Sequence, residues 1–292
     1  MSFGVSMKAL PILLAPLCFM IAAFAAATYP NEPTYQGRSL SDWTNDLDPH
    51  GRVNRPAWTA IGHIGTNAIP TLLRWMSEPD PPEPPKTNVA GCFNTSRSER
   101  AELAFRILGG TAHPAIPELT RLARASSDPE RPKRCAASLS AIGPQAIPSL
   151  LSLATNGPPW TRYWAVNELG WFARTPEAVQ TVPVLIKCLD DTNTLNVDGS
   201  AERALMNMDP AVAVPALTNA LHSPLAQTRL RIARCLLALE DAGDPRLPSE
   251  APTIVSACRT AVRDPDPQVR STATNILRRI GGREASGANK AD

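Results

Sequence analysis

Along this chain apolar side chains recur in triplets spaced i, i+4, i+7, which places three side chains on one helical face. Seven triplets occur: Ala57/Ile61/Ile64, Ala101/Phe105/Leu108, Cys135/Leu139/Ile142, Ala165/Leu169/Phe172, Ala201/Leu205/Met208, Ile232/Leu236/Leu239 and Ala273/Leu277/Ile280. Each except the last is followed by a proline that opens a second apolar stretch: Pro70, Pro117, Pro148, Pro183, Pro215 and Pro252. A helix tolerates proline in its first turn, where the missing N–H has no partner to lose. Each unit therefore reads as helix, turn, helix, with proline opening the second helix. The final triplet members lie 44, 34, 30, 36, 31 and 41 residues apart, within the range of helical repeats. The predicted fold is all-α, an α-solenoid of about six to seven helical hairpins.

The same pattern sets the organisation. Residues 28–54 read as a linker and an N-terminal capping helix, in which Ser39 caps Leu40 to Leu47 with Asp42 three residues on. Trp43 is expected to supply that helix's buried face, because the first repeat of a solenoid otherwise exposes an apolar side. Residues 55–281 form the array. Within it, residues 78–98 hold Pro79-Asp-Pro-Pro-Glu-Pro-Pro85, too dense in proline for a helix and predicted to be an extended loop. Residues 282–292 are small and polar, which predicts a flexible tail.

Two junctions share more than apolar spacing. Ile64-Gly65-Thr-Asn-Ala-Ile-Pro70 and Ile142-Gly143-Pro-Gln-Ala-Ile-Pro148 are variants of one motif. Asp264-Pro-Asp-Pro-Gln-Val269-Arg270-Ser-Thr-Ala273, running on to Ile280-Gly281, adds a second. These segments resemble HEAT repeats, in particular the short HEAT-like repeats named after phycobilisome lyases. Tyr35-Gln-Gly37-Arg38-Ser-Leu40-Ser-Asp-Trp43 ahead of the array is similar to a segment found in a family of exported bacterial HEAT-repeat proteins. The resemblance spans residues 35 to 281 and implies an armadillo-like superhelix that serves as a scaffold. It also implies that the second helices line a concave docking face. The fourth and fifth repeats depart from the motif, with Phe172-Ala173 and Met208-Asp209 at the junction, and the sixth junction is degenerate.

Composition changes this picture in three places. Lys8 precedes an apolar run over residues 9–27 that ends in Ala25-Ala26-Ala27, the layout of a secretory signal cleaved before Thr28. Uncleaved, residues 9–27 would serve as an inner-membrane anchor, and either route puts the array outside the cytoplasm, periplasmic or secreted. Net charge is 29 − 27 = +2, without the basic excess of a nucleic-acid-binding chain. Of six cysteines, Cys18 lies in the apolar run and Cys92 in the proline-rich loop. Cys135, Cys188, Cys235 and Cys258 fall on helices and read as packed thiols, with Cys235 and Cys258 the best pair should a disulfide form.

Counting from each repeat proline, positions +2 and +6 are predicted to be buried, as in Leu72/Met76, Leu185/Leu189 and Leu217/Leu221. Position +4 should point outward and stack from repeat to repeat as Arg74, Arg121, Ser152, Lys187, Asn219 and Ser256. Three of the first four are basic, so this column is a candidate ridge for a protein partner with acidic chemistry. Trp160, Tyr163, Trp164, Trp171 and Phe172 crowd the fourth repeat, with Trp160 expected to be exposed and Phe172 core. The candidate protein-binding residues are Arg74, Arg121, Lys187, Asn219 and Trp160. Catalysis has no support: GxSxG, HExxH and phosphate-loop motifs do not occur. No histidine precedes a glutamate, so the iron-holding pairs of HEAT-like hydroxylases are missing as well. No cofactor or metal is expected. The alternatives are an enzyme or enzyme-associated lyase-type HEAT protein, and a membrane-tethered assembly factor.

Overall fold

The computed structural model describes residues 32–48, 54–79, 96–125, 128–192, 195–241 and 247–288. Within them the triplets and their proline-linked partners form six helical hairpins in sequence. The hairpins are α2 (Arg55–Ile64) with α3 (Ile69–Ser77), α4 (Arg97–Leu108) with α5 (Ile116–Ala125), and α6 (Glu130–Ile142) with α7 (Ile147–Asn156). They continue with α8 (Pro159–Leu169) and α9 (Ala178–Cys188), α10 (Val197–Met206) and α11 (Pro210–Ala220), then α12 (Ala226–Asp241) and α13 (Leu247–Ala261). A final helix, α14 (Pro267–Ala288), begins a seventh unit. First helices pack on first helices and second helices on second helices along the array, giving two layers. The all-α solenoid expected from the periodicity is what forms.

The core is the set of triplets. Every member is buried except Leu277, which is half-buried beside Ile276 at 0% exposure. The final helix meets α12 and α13 on one side, so its buried stripe turns to Val269, Ala273, Ile276 and Ile280. Its other side carries Gln268, Ser271, Thr274 and Arg278, all exposed, a polar end of the kind a solenoid needs. The +2 and +6 positions of all six second helices are buried.

The repeat prolines divide into two sets. Gly65, Gly109 and Gly143 have φ of 58°, 50° and 100°, a region that strains residues with a Cβ. Each stops its first helix and leads through a short 3₁₀ turn to a second helix that starts one residue before Pro70, Pro117 or Pro148. The later repeats correct the expectation. Second helices α9, α11 and α13 start at Ala178, Pro210 and Leu247, so Pro183, Pro215 and Pro252 lie inside them. Among the described residues no positive-φ glycine follows the first helix of the fourth or fifth repeat, and there the chain re-enters helix earlier. In the fifth repeat Asp209 caps α11 by accepting from the Ala211 N–H at 3.1 Å, and Pro210 takes the opening position expected of Pro215. All six repeat prolines are exposed.

Both ends differ from expectation. The capping helix α1 (Leu40–Asn45) is preceded by a hairpin of β1 (Thr34–Tyr35) and β2 (Arg38–Ser39), paired Thr34↔Ser39 and Tyr35↔Arg38. Gln36 and Gly37 both have positive φ, the geometry of a tight hairpin turn that matches strand twist. The Ser39–Asp42 capping box forms in both directions. Trp43 is buried as expected; its Nε1 donates to the Tyr35 carbonyl at 3.1 Å, and the Arg38 guanidinium lies 4.0 Å from its ring centre. Tyr35 in turn stacks on His63 of the first repeat at 4.8 Å. At the other end, α14 runs past Gly281 to Ala288, so the segment expected to be a loose tail is helical through that point. The apolar segment 1–27, most of the proline-rich loop, Cys18 and Cys92 lie outside the described residues. Among the described residues no helix is long and apolar enough to cross a membrane. The four helical cysteines are buried and free, so Cys235 and Cys258 stand as separate thiols. Burial pushes Cys135 and Cys235 up to about 12 and Cys188 and Cys258 up to about 11, which keeps all four protonated.

Candidate functional site

The second-helix layer assembles the predicted column. Each second helix contacts the next, and position +4 is exposed in Arg121, Lys187, Asn219 and Ser256 and half-buried in Arg74 and Ser152. The repeat prolines sit one turn away on the same face. The column is less basic than its residue types suggest. Arg121 is held in a forked pair by Glu118, at 2.8 and 2.6 Å, and Arg74 has Glu78 at 4.0 Å. Each carboxylate lies within one helical turn of its arginine, where side chains meet. Arg124, one turn beyond Arg121, donates to Ser152 Oγ at 2.6 Å and ties the second repeat's face to the third. The exposed charge that remains along the column centres on Arg124 and Lys187.

Trp160 is exposed at 44%, but it starts α8 and belongs to the first-helix layer, apart from the column. Its ring meets Tyr163 edge-on at 6.5 Å, and Tyr163 meets Trp164 at 4.8 Å. Phe172 is core, as expected from its anchor position. Trp171 is not core: at 77% it is the most exposed tryptophan described, on the 3₁₀ turn that ends α8.

A second arrangement was not legible beforehand. On the outward face of α6 the residues are small, Ala137, Ser140 and Ala141, all half-buried. α4, which carries Glu102 and Arg106, and α8, which carries Trp164 and Glu168, both pack against α6. Arg106 donates to Glu102 at 3.0 Å, and Ser140 donates to Glu168. Burial pushes both carboxyls above the ordinary range; Arg106, Arg134 and Lys133 oppose the shift at Glu102, while Ser140 and Arg106 oppose it at Glu168. The charge of Glu102 adds to the rise at Glu168. At the far end Lys133 Nζ lies 5.4 Å from the Trp164 ring centre. Glu102 and Glu168 sit 66 residues apart, each beside a triplet anchor, and nothing local in the sequence marks them as neighbours.

The Asp264–Arg270 motif has a structural task. Arg229 forks onto Asp264 at 2.7 and 2.9 Å and reaches the Ser223 carbonyl at 2.9 Å. Arg270 donates to the Asp264 and Pro265 carbonyls, and Asp266 accepts from the Gln268 and Val269 N–H groups at the start of α14. Arg162 repeats the arrangement on Asp191, at 2.6 and 3.2 Å, and on the Gly157 carbonyl. These arginines close the loops between repeats. The Arg229 guanidinium holds the Asp264 carboxyl below the usual range. Among the described residues no group of three or more His, Cys, Asp or Glu is placed to hold a metal.

Stacked two-helix units with buried Ala/Leu triplets and arginine-closed loops define a helical-repeat solenoid. The family model for HEAT repeats matches residues 147–237, from α7 into α12, and the same unit recurs on both sides of that span. Residues 147–237 are HEAT repeats, and the rest of the described array has the same helical-hairpin unit. Among curated proteins nothing matches it. Among solved structures it is similar to an engineered protein at 20% identity, covering 83% of this chain and 95% of that one, with a TM-score of 0.34. It is also similar to yeast importin-beta (Kap95p) at 14% identity, covering 89% of this chain and 32% of that one, with a TM-score of 0.37. The complex of CpcE and CpcF of phycocyanin lyase from Nostoc matches at 17% identity, over 84% of this chain and 96% of that one, with a TM-score of 0.31. Likeness at this level does not carry function from one chain to another.

Proposed function

We propose that this protein is a non-enzymatic scaffold that binds a partner protein through the outward face of its second helices. The observation that carries the reading is the continuous column of polar +4 side chains from Arg74 to Ser256, interleaved with exposed prolines across six repeats. Such a face offers many separate hydrogen-bond and charge contacts. Arg124 and Lys187 supply the charge that favours an acidic partner, with Arg121 shared between Glu118 and the partner. The array acts outside the cytoplasm, delivered by residues 9–27 as a cleaved signal or held by them at the inner membrane; both readings rest on the sequence.

The test is the paired charge reversal Arg121→Glu with Lys187→Glu, in affinity purification from the native host. The scaffold reading expects the principal partner to be lost while the helical circular dichroism is unchanged. Retention of every partner by the double variant refutes the ridge. Mass spectrometry of the mature chain decides delivery: a species starting near Thr28 excludes the tether.

A further inference from the structure

We propose that the closing unit of the array is a docking end, where Arg270 takes an aspartate or glutamate side chain from an acidic segment of a partner protein. The site uses the first-helix layer, whereas the column lies on the second, so it stands apart from the scaffold reading. Three arginines hold equivalent places, three residues before the triplets of the fourth, sixth and seventh units: Arg162, Arg229 and Arg270. All three aim Nη1 at carbonyls of the loop before them. Arg162 reaches Gly157 at 3.0 Å, and Arg229 reaches Ser223 and Pro224 at 2.9 and 3.0 Å. Arg270 reaches Asp264 and Pro265 at 2.8 and 2.9 Å. In the first two, the edge formed by Nε and Nη2 then forks onto an aspartate of the following loop, Asp191 or Asp264. Arg270 is held by the same Nη1 contacts, and among the described residues no carboxylate takes its Nε and Nη2 edge. Asp264 feels the charge of Arg270, but its oxygens are held by Arg229. Asp266 accepts from the Gln268 and Val269 N–H groups instead.

The helix face beyond the arginine agrees. Residues four and seven positions on share that face. They are Val166 and Leu169 in α8 and Ala233 and Leu236 in α12, all buried. Each of those helices has a later first helix packed against it, α10 on α8 and α14 on α12. In α14 the same positions hold Thr274, exposed, and Leu277, half-buried, and among the described residues no later helix packs on them. Charge points to the occupant. Over residues 259–281 the chain carries Arg259, Arg263, Arg270, Arg278 and Arg279 against Asp264 and Asp266. Among the described residues Arg259, Arg263, Arg270 and Arg278 form no ion pair, while Arg229 uses Asp264 and Arg279 lies 3.9 Å from Glu240. A carboxylate that meets a guanidinium through two parallel hydrogen bonds makes one of its strongest contacts, and Arg162 and Arg229 show the geometry it would adopt.

The experiment follows the Arg270 Nε–H resonance of the full chain by NMR at physiological ionic strength, with Arg270→Lys to assign it. Two capped peptides are titrated, one with aspartates spaced by glycine and one with asparagine in place of each aspartate. Asparagine keeps the shape and removes the charge. The proposal expects the aspartate peptide to move the resonance saturably, and to bind there at least about fivefold more tightly than the asparagine peptide. Thr274→Glu sets a carboxylate one helical turn from Arg270 at an exposed position, so it should fill the edge from within and abolish the shift. Its circular dichroism should match that of the native chain. An unmoved resonance, equal binding of the two peptides, or a shift that persists in Thr274→Glu overturns the proposal. So does sedimentation that finds a native dimer dissociated by Thr274→Glu, because the occupant is then a second copy of the chain. Peptide binding that moves only the Arg124 or Lys187 signals favours the column and overturns the docking end, which keeps the two readings distinguishable.

Discussion

Repeats one to three and repeats four to six bury the same triplets and the same +2 and +6 positions, yet they turn between helices differently. The first three stop at a glycine with positive φ, pass through a 3₁₀ turn and place proline in the second helix's first turn. The next three start the second helix five residues before the proline and carry it inside, and in the fourth and fifth no positive-φ glycine ends the first helix. Packing and turn chemistry are thus separable in this array. The Ala/Leu stripes decide that hairpins stack, and the junction residues decide how each hairpin is closed.

The largest expected effect lies at the glycine stops. Gly143→Val puts a β-branched side chain at φ 100°, which should destabilise by about 3 kcal/mol. Gly170→Ala, at φ −61° in the fourth repeat, meets Ala204 Cβ at 3.4 Å and should cost well under about 1 kcal/mol. Urea denaturation followed by circular dichroism compares the two, and equal costs would erase the distinction between the halves. Next comes the loop closure of the later repeats. Asp264→Asn removes the charged partner of Arg229 and should cost about 2 kcal/mol at pH 7. Because Arg229 lowers the folded-state pKa of Asp264, this stabilisation is present above the unfolded pKa of about 3.9 and is lost as pH falls through the folded value. The native chain and Asp264→Asn should therefore converge in strong acid.

A smaller effect tests the prolines directly. Pro183→Ala restores an N–H for the Val179 carbonyl inside α9 and should stabilise by about 1 kcal/mol. Pro148→Ala, in the first turn of α7, should destabilise by about 0.5 kcal/mol through a freer unfolded chain. Opposite signs in paired melts support the division, and a common sign breaks it. The smallest effect concerns Glu168. Burial raises Glu168, so its contribution is most favourable below the unfolded carboxyl pKa and declines as pH rises through the folded value. Glu168→Gln should therefore raise the melting temperature slightly at pH 7 and leave it unchanged near pH 3.

What could be read from the sequence follows from range. The triplets are local, three residues within one helix, and all but Leu277 are buried. The Gly65 and Gly143 stops are local too, and their turns form as the motif implies. The earlier helix starts in repeats four and five depend on Asp209-Pro210 and on the absence of a positive-φ glycine among the described junction residues, a subtler local signal than the repeat prolines. The pairing of Arg121 with Glu118 is local as well, three residues apart on one helical turn, and it takes charge out of the column. The influence of Ser140 and Glu102 on Glu168 was out of reach, because the three come from different repeats and are brought near by stacking. Trp171 lies one residue before the buried Phe172, yet it sits on the 3₁₀ turn at 77% exposure, which the triplet pattern does not specify.

Native-state hydrogen exchange on Gly143→Val tests the account most directly, because a solenoid couples each repeat to its neighbours alone. Amides of α4 to α8 should exchange faster while those of α12 to α14 keep native protection. Uniform acceleration from α2 to α14 would contradict a chain of locally coupled hairpins and point to a single cooperative core.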